Sequence, residues 1–400
     1  MPVAKTIYMD HAATTAVDPR VIEAMRPYFT ELFGNPATMY GLGRDCEKAI
    51  ESARITIAKA INAAPEEIYF TSGGTESDNW AIEGVAYANE KKGRHIIASA
   101  IEHHAVLETC QLMKNRGWDV TVLPVSNTGF VDPADVEKAI RPDTILVTIM
   151  HANNEIGSIE PIAEIARITR SKGVIFHSDT VQTIGKIPVD VKALDVDITS
   201  ASAHKFYGPK GVGFSYIRKG TRIEAFARGG GQERNRRAGT HNVPGIVGMG
   251  KAIELASESF ADGSRLHKLA ETLWEGLSDA IVDVHRNSPS ENCLPGFLNI
   301  VVEGIEGEAM LLRLDAKGVC VSSGSACTTG SLEPSHVLLA IGLPAEVAHG
   351  SIRFTLGREN TEDEVRYVVK EFPGIISILR QMSPTYRKDC REAGGKPYAV

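Results

Sequence analysis

The stretch GVIFHSDTVQTIG, residues 173–185, decides the fold class of this chain of 400 residues. A β-rich apolar run ends at Asp179, and the preceding segment, PIAEIARITRSKG, has apolar residues near helical spacing and a glycine at its C-terminal end. A helical segment followed by a short apolar strand is the unit from which parallel sheets are built. We therefore expect the chain around this stretch to repeat the unit.

Similar β-rich runs recur from Glu66 to about Arg218 and alternate with helix-like segments. They read EEIYFTS, HIIASA, DVTVLPV, TILVTIMH, GVIFHSD, DITSAS and GVGFSYIRK. Seven strands with helical crossovers predict a doubly wound α/β domain with a mostly parallel sheet. Such sheets bind ligands beyond the carboxyl ends of their strands, so functional side chains are expected just after each run.

After residue 255 the pattern changes to longer helices with fewer strands, among them FLNIVVEGI and SIRFTLGR. This change predicts a second, smaller α+β domain. The predicted division gives a large domain over 16–257, a small domain over 1–15 and 258–384, and a loose tail over 385–400 with little apolar content.

The length and composition are those of an ordinary globular protein of enzyme size. Hydrophobic residues make up 43% and charged residues 23%, and the formal net charge is −7, which argues against a general attraction to nucleic acid or anionic lipid. The six cysteines are scattered without a C-x-x-C pair, unlike a disulfide framework or a zinc site. The N-terminus lacks a signal-peptide layout, and no apolar run approaches the roughly 18 residues needed to span a bilayer. We expect reduced thiols and a cytoplasmic protein.

The stretch TSGGTES, residues 71–77, is a first candidate for ligand binding. A predicted strand runs into two glycines and then into a helix that opens near Thr75. Backbone N–H groups at a helix start, with the dipole behind them, hold phosphate, and Gly74 allows a close approach. The alternative is a capped helix without a ligand.

A second candidate is SASAHKFYGPKGVG, residues 200–213. Ser202 and His204 point the same way on an extended chain, while Lys205 points the other way. The serine and histidine can hold a phosphate while the lysine addresses the rest of the ligand. A lysine that does chemistry at pH 7 must be desolvated or condensed with an aldehyde, since its ordinary pKa is about 10.4. The alternative is a solvated lysine.

Further polar residues follow other predicted strands. Asp179 ends one strand, with Gln182 three residues on, and can hold a ring nitrogen protonated, as enzymes that use pyridoxal phosphate (PLP) require; a helix N-cap is the alternative. His103, His151 and Asn154 follow two more strands and, taken singly, can be ordinary polar residues. Because all these residues follow strand ends in the same half of the predicted sheet, together they favour one site.

Two near matches to other motifs fail. GIVGMGKA has Ala252 where a phosphate loop needs serine or threonine for magnesium. ARGGGQERNRRAGTHN is rich in arginine but has no aromatic residue for base stacking, which favours a local anion site over a nucleic-acid surface. Neither H-E-x-x-H nor G-x-S-x-G occurs, so metalloprotease and serine hydrolase functions are not indicated.

Together these residues resemble the cysteine desulfurases of the NifS/IscS type, within the class V aminotransferase group of PLP enzymes of fold type I. The matching blocks, from Tyr8 to about Pro384, are MDHAATT, FGNP, FTSGGTES, EHHAV, HANNEIG, HSDTVQTIGK, SAHKFYGPKGVG, GGGQERNRRAGT, GEAMLLRLDAKGVCVSSGSAC and SIRFTLGR. The resemblance implies a homodimer that takes sulfur from L-cysteine, releases L-alanine and passes the sulfur to an acceptor for iron–sulfur cluster assembly or thiolation.

The resemblance also implies a role for each matched residue. Lys205 binds PLP covalently and moves the proton at the substrate α-carbon, and His103 stacks on the ring and acts as an acid or base. Asp179 pairs with the ring nitrogen and Gln182 contacts the ring hydroxyl. The phosphate is held by Gly74, Thr75, Ser202 and His204, joined by Thr240 of a second subunit. The substrate is held by Arg353, whose guanidinium grips its carboxylate in bidentate fashion, and by Asn154 and Asn35.

The stretch SSGSACTTGS, residues 322–331, carries the sulfur acceptor that the resemblance implies, Cys327. A persulfide on Cys327 must leave the pocket for another protein, so its loop is expected to be mobile, and a transient iron–sulfur contact at this thiol is expected as well. Cys320 is expected in a strand. An ordinary thiol, with a pKa of about 8.5, is only a few per cent thiolate at pH 7, so Cys327 needs activation, by His103 or by the departing proton.

Other functions remain open at this point. Selenocysteine or cystine lyase activity on the same fold is the nearest alternative. From a different class, the chain could be a cofactor-free thiol enzyme or a persulfide-carrying interaction protein. The sequence departs from the usual family pattern at Tyr40, at Thr180 and in the tail with Cys390, and the tail puts partner docking in doubt.

Overall fold

The structure is a computed structural model that describes residues 6–258, 260–323, 333–383 and 386. The strands are β1 (Ile7–Tyr8), β2 (Ile68–Thr71), β3 (His95–Ser99), β4 (Asp119–Leu123), β5 (Thr144–Thr148), β6 (Ile175–Asp179), β7 (Ile198–Ser202), β8 (Gly213–Ile217), β9 (Val284–Arg286), β10 (Phe297–Val302), β11 (Val319–Cys320) and β12 (Ser351–Thr355). The α-helices are α1 (Pro19–Met25), α2 (Pro27–Thr30), α3 (Gly41–Ala60), α4 (Gly74–Asn89), α5 (His104–Asn115), α6 (Pro133–Ala139), α7 (Ile162–Lys172), α8 (Gln232–Asn235), α9 (Val243–Glu258), α10 (Gly263–Ala280), α11 (Gly307–Asp315), α12 (His336–Ala340), α13 (Ala345–Ala348) and α14 (Glu362–Met382). Short 3-10 helices lie at Pro65–Glu67, Ala203–Lys205 and Phe260–Asp262.

A seven-stranded sheet forms the centre of the fold. Its strand order is β2-β8-β7-β6-β5-β3-β4, and only β8 runs antiparallel to its neighbours. Each of the seven predicted runs forms one of these strands. The prediction of an α/β fold with a seven-stranded, mostly parallel sheet is therefore confirmed.

Both faces of the sheet are covered, which explains why every residue of β2, β3, β5, β7 and β8 is buried. On β3, Ile97 packs into one apolar cluster with Val147 and Phe176, whereas Ile96 and Ala98 pack into another on the opposite face. Successive strand residues point to opposite faces, so a sheet covered by helices on both sides buries residues at every position. The helix α7 before β6 ends at Gly173, which has φ of 64°, a left-handed conformation that glycine adopts without strain.

The later part of the chain builds two smaller sheets. The runs FLNIVVEGI and SIRFTLGR supply β10 and β12, which pair antiparallel in the order β12-β10-β9. β1 pairs parallel with β11, and Met9 packs into the same apolar cluster as Leu298 and Phe354. Residues 7–9 thus lie against the last third of the chain. The division into domains at residues 16, 258 and 385 stays a prediction.

The helix α14 covers one side of the smaller sheets. It begins with a capping box, in which the side chains of Thr361 and Glu364 bond each other's backbone N–H groups, and it buries Val365, Val368 and Phe372. Its polar face is exposed, as expected for an amphipathic surface helix. Among the helices of the described residues, none is both long and apolar enough to cross a bilayer.

Gly185 determines how closely the turn after β6 approaches the segment after β7. Its φ is 80°, and a Cβ atom there would lie 2.3 Å from Cβ of Phe206, the fully buried residue after Lys205. Contacts this short force the backbone or the neighbouring side chain to move. A glycine at this position therefore sets the distance between Gln182 and Lys205.

We predict that Gly185→Ala destabilises the protein by about 1–3 kcal/mol from overpacking, with additional cost from the left-handed backbone. Urea unfolding followed by circular dichroism measures the change. Gly374→Ala is the matched control, because a Cβ atom there meets no atom within 4 Å and the position is helical. The control is expected to be neutral or stabilising. Equal stability of the two variants would contradict this account of Gly185.

Candidate active site

The predicted functional residues follow neighbouring parallel strands. In the sheet, β3, β5, β6 and β7 are adjacent and parallel, so their carboxyl ends lie along one edge. His103 follows β3, Asn154 follows β5, Asp179 ends β6 and Lys205 follows β7. Parallel pairing thus brings together residues that are up to about one hundred positions apart in the sequence.

The amine of Lys205 lies against the N-terminal segment. Lys205 ends the short 3-10 helix after β7, and its Nζ donates to the carbonyl oxygens of Ala12 at 2.5 Å and Ala13 at 2.9 Å. Thr15 fixes the same segment, because its backbone N–H and its hydroxyl both donate to the carbonyl of His204. The N-terminal segment therefore forms one wall of the site.

Asp179 presents a buried carboxylate at the end of β6. Its Oδ1 accepts from the backbone N–H of Val181 at 2.8 Å, and residues 181–186 form turns. The helix N-cap alternative is therefore wrong, since no α-helix begins there. Burial raises the pKa of Asp179 to about 6, while the Val181 N–H and the charge of Lys205 oppose that rise.

Gln182 lies three residues after Asp179, in the turn after β6, and is buried. Its Nε2 donates to the carbonyl of Ala12 at 3.0 Å, the oxygen that also accepts from Lys205. Its Oε1 accepts from Nζ of Lys186 at 2.5 Å. The NH₂ end of the amide therefore has an acceptor as its partner, and the oxygen end has a donor.

His103 lies at the start of α5 and caps that helix with its own ring. Its Nδ1 accepts from the backbone N–H of Ala105 at 3.1 Å. The preceding residue, Glu102, is buried and accepts from the backbone N–H of Met150 at 2.9 Å, which ties this loop to the end of β5. Burial lowers the pKa of His103 to about 4, and the charge of Lys205 adds to the effect. The ring is therefore neutral near pH 7, with its proton on Nε2.

An anion cradle lies where β2 meets α4. The helix begins at Gly74, and its N-cap residue, Gly73, provides no side-chain cap, so the first N–H groups have no side-chain cap and phosphate binding there stays a prediction. A Cβ atom on Gly73 would lie 3.5 Å from Oγ of Ser202, and one on Gly74 would lie 2.7 Å from the Val181 side chain. The start of α4 thus lies beside the hydroxyl of Ser202, and Gly74 leaves room for the side chain of Val181.

Other predicted phosphate residues lie near this cradle or at the surface. Nδ1 of His204 is 3.1 Å from Oγ1 of Thr14, and burial together with Lys205 lowers the pKa of His204 to about 4. Thr75 and Thr240 are exposed. The contact of Thr240 with a second subunit stays a prediction.

Arg353 on β12 joins the small sheets to the site. It is 3% exposed, and its Nη1 donates to the carbonyl of Asn154 and its Nη2 to Oδ1 of Asp10, both at 2.7 Å. Its Nε has no hydrogen-bond partner among the described residues. The guanidinium therefore already pairs with a carboxylate of the chain and keeps one donor for a further acceptor.

The predicted sulfur acceptor, Cys327, lies outside the described residues, as do its expected mobility and iron–sulfur contact. The described chain approaches it from Ser322, whose backbone pairs with that of Arg353. Cys320 lies in β11, as predicted, and is half-buried, which raises the pKa of its thiol. Within the described ranges, no cluster of three or more His, Cys, Asp or Glu side chains could hold a metal ion.

Two of the remaining predicted residues have other surroundings. Asn35 lies in an exposed turn, where its Oδ1 accepts from the N–H of Ala37, and none of its described hydrogen bonds reaches the strand ends. His151 is buried, and its backbone N–H donates to the carbonyl of Asp179 at 2.8 Å. The structure therefore does not bring Asn35 to the other site residues in this chain.

Sequence reasoning missed three contributors to the site. They are the carbonyls of Ala12 and Ala13, the carboxylate of Asp10 and the amine of Lys186. The blocks MDHAATT and HSDTVQTIGK contain all of them, so their place in these matching blocks was the available signal. Chemically, the assembled groups suit a phosphorylated aldehyde with a basic ring nitrogen: an amine, a carboxylate, an imidazole and an anion cradle.

Comparisons with known proteins agree with this arrangement. The family profile described as Aminotransferase class-V matches residues 7–368. The chain is 54% identical to a cysteine desulfurase IscS of Dictyoglomus turgidum over 95% of this chain and 97% of the relative, and 53% identical to a protein of the same name from Methanosarcina thermophila over 97% and 96%. Among solved structures, a NifS-like protein matches with a TM-score of 0.88 at 42% identity over 94% of this chain and all of the other. A structure titled SspA in complex with cysteine matches with a TM-score of 0.78 at 36% identity over 88% and 99%.

The neutral state of His103 can be tested by its own titration. We predict that ¹⁵N NMR of the ring shows a neutral imidazole from pH 8 down to pH 5, with protonation near pH 4, because burial and Lys205 disfavour the imidazolium. The reference is the denatured protein, in which histidine titrates near about 6.5. A ring that is already charged at pH 6 would contradict the predicted environment.

Proposed function

The chain belongs to the class V aminotransferase family, and we propose that it is an L-cysteine desulfurase, which removes sulfur from L-cysteine, releases L-alanine and leaves a persulfide on Cys327. The observation that carries the proposal is the convergence of Lys205, Asp179 and Gln182 at one sheet edge, with the Lys205 amine placed by the carbonyl of Ala12. The high identity to proteins named cysteine desulfurase over nearly the whole chain supports the reaction.

The cofactor of the reaction is PLP, and the residues of this site fit it. The uncapped start of α4 and the hydroxyl of Ser202 suit its phosphate, and the carboxylate of Asp179 suits a protonated ring nitrogen. When bound, PLP supplies an electron sink that stabilises negative charge at the substrate α-carbon. The remaining holding residues in the proposal are Gly74, Thr75 and His204 at the phosphate, Gln182 at the ring hydroxyl, His103 on the ring face, Lys205 in covalent linkage and Thr240 from a second copy of the chain.

Arg353 and Asn154 hold the substrate in this proposal. The carboxylate of L-cysteine meets a guanidinium whose Nε is the donor without a described partner and whose Nη2 is paired with Asp10. Displacement of Asp10 is therefore required for a bidentate grip through Nη2, whereas Nε can bind a carboxylate oxygen without it. Asn35 stays a weaker proposal, because its side chain is engaged in its own turn.

Lys205 moves a proton in this proposal, and His103 donates a hydrogen bond. Lys205 takes the proton from the α-carbon in this proposal, because its amine lies in the site just after β7, against the carbonyls of Ala12 and Ala13. His103 has Nδ1 committed to the Ala105 N–H, so its Nε2–H acts as a hydrogen-bond donor toward the reacting sulfur. In this state His103 suits hydrogen-bond donation rather than the role of a base.

Cys327 receives the sulfur. Its thiolate attacks the substrate sulfur, a new S–S bond forms, and the electron pair of the broken C–S bond stays with carbon, which takes up a proton to complete alanine. The persulfide sulfur then passes to an acceptor. The backbone of Ser322, near the end of the described chain before Cys327, pairs with that of Arg353. The approach to Cys327 therefore lies beside the proposed substrate-binding residue, which supports this route.

Several finer points complete the proposal. The acceptor is an iron–sulfur scaffold or a thiolation partner, the enzyme is a homodimer, and a large domain over 16–257 carries PLP while a small domain carries the cysteine loop. A cytoplasmic location is supported by the four described thiols, Cys46, Cys110, Cys293 and Cys320, which are all free.

The central experiment follows both products. Incubation with L-cysteine is expected to yield alanine, and sulfide when a thiol reductant is present, and Lys205→Ala is expected to give no measurable alanine because the base and the covalent attachment are both lost. Lys219→Ala is the control, since this lysine is exposed. Rates on L-selenocysteine and L-cystine measured in parallel separate desulfurase from lyase function. Faster turnover of either analogue than of L-cysteine would overturn the proposed substrate.

The nucleophile has its own test. We predict that Cys327→Ala binds L-cysteine with a change in the visible spectrum but does not release alanine efficiently, since no thiolate is present to take the sulfur. Cys320→Ala is the matched control, because this thiol lies in β11 and is half-buried. Full alanine production by Cys327→Ala would show that the nucleophile is assigned wrongly.

A further inference from the structure

Lys186 places a second amine beside the site, one that the proposed reaction does not use. It follows Gln182 by four residues in the turn after β6, and its Nζ donates to Oε1 of Gln182 at 2.5 Å. The same Nζ lies 5.3 Å from the ring centroid of Phe297, which is buried. The turn thus directs the lysine toward the amide rather than toward solvent.

The two partners of Gln182 fix which way its amide faces. A carbonyl oxygen can only accept, so Ala12 requires the NH₂ end of the amide, which turns the oxygen end toward Lys186, whose amine donates to it. A flipped amide would oppose two oxygens on one side and two donors on the other. One N–H of Gln182 bonds Ala12, which leaves the second N–H for another acceptor.

We propose that Lys186 is a positioning residue that holds the Gln182 amide with its second N–H directed at the ring hydroxyl of PLP. The inference rests on the proposed function, because it takes PLP as the ligand. Lys186 does not touch the cofactor in this scheme; it acts only through Gln182.

The contact between Gln182 and Lys186 lies within one turn, so it does not depend on the N-terminal segment as the contact with Ala12 does. Both residues lie in one turn, whereas Ala12 lies on the N-terminal segment, whose carbonyl is also bonded by Lys205. When the amine of Lys205 engages the cofactor, its bonds to this segment are lost or rearranged. Lys186 then remains a fixed donor that keeps the amide oriented.

The environment of Lys186 is unfavourable for an ordinary structural lysine. Burial and the charges of Lys205 and Arg353 lower its pKa well below the usual range. An apolar residue of similar length would pack beside Phe297 without that cost. The hydrogen bond to Gln182 is the specific contact that an apolar residue could not make.

A double-mutant cycle on the holoenzyme tests the proposal through PLP release rather than activity. Holoenzyme is diluted into buffer without PLP, and the loss of the visible cofactor band gives the release rate. Lys186→Met is expected to speed release about tenfold, the effect of losing one hydrogen bond to a bound ligand. In a Gln182→Met background, the same change is expected to alter the rate less than twofold, because the amide through which Lys186 acts is gone.

Controls separate this role from general destabilisation. Thermal unfolding checks that each variant is folded, Lys186→Arg is expected to keep the release rate within about threefold because it retains donors, and Lys192→Met changes an exposed lysine nearby. Lys186→Leu, whose side chain has no donor, takes the place of Lys186→Met should that variant fail to fold.

Two results would overturn the inference. One is the same fold-change from Lys186→Met in both backgrounds, which marks a structural role independent of Gln182. The other is an unchanged release rate in the presence of Gln182. Since no amino-acid substrate is used, neither result bears on the reaction; a wild-type protein that takes up no PLP would instead refute the proposed function.

Discussion

The carbonyl oxygen of Ala12 is the contact on which the geometry of the site depends. It accepts from the Lys205 amine at 2.5 Å and from the Gln182 amide at 3.0 Å, so one backbone group links the segments after β6 and β7. Its own position is fixed by the pairing of β1 with β11 and by the Asp10–Arg353 ion pair. The N-terminal segment therefore connects the sheet edge to the small sheets, and a shift in that segment moves both catalytic and positioning groups.

Burial gives each ionisable group of the site a distinct state. Desolvation raises the pKa of Asp179 to about 6 and lowers that of His103 to about 4, so near pH 7 the first is largely an anion and the second is neutral. The nearby charge of Lys205 lowers the pKa of both groups, because a cation favours the carboxylate and disfavours the imidazolium. This division suits a site in which one group must hold a charge and its neighbour must donate a hydrogen bond.

The sequence predicted those parts of the molecule that follow from local patterns. Apolar runs marked the seven strands, and residues after strand ends marked Asp179, His103 and Lys205, because parallel pairing aligns strand ends automatically. Asp10 and Arg353 are 343 positions apart, and nothing in local sequence indicates that two such residues form an ion pair. The same holds for the Ala12 carbonyl, since a backbone group carries no signature in the sequence, and for Lys186, since most lysines are solvated. The family resemblance supplied the residue roles, but it could not supply these contacts.

The central claim is that this sheet edge places Lys205, and no other amine, to bind PLP. The most direct measurement is reduction of the holoenzyme with borohydride, which fixes the cofactor to its lysine, followed by peptide mass mapping. Two amines are near enough to compete, Lys205 and Lys186, and the account predicts the cofactor on Lys205 alone, because Lys186 is committed to Gln182. Label on Lys186, or on neither lysine, would contradict it.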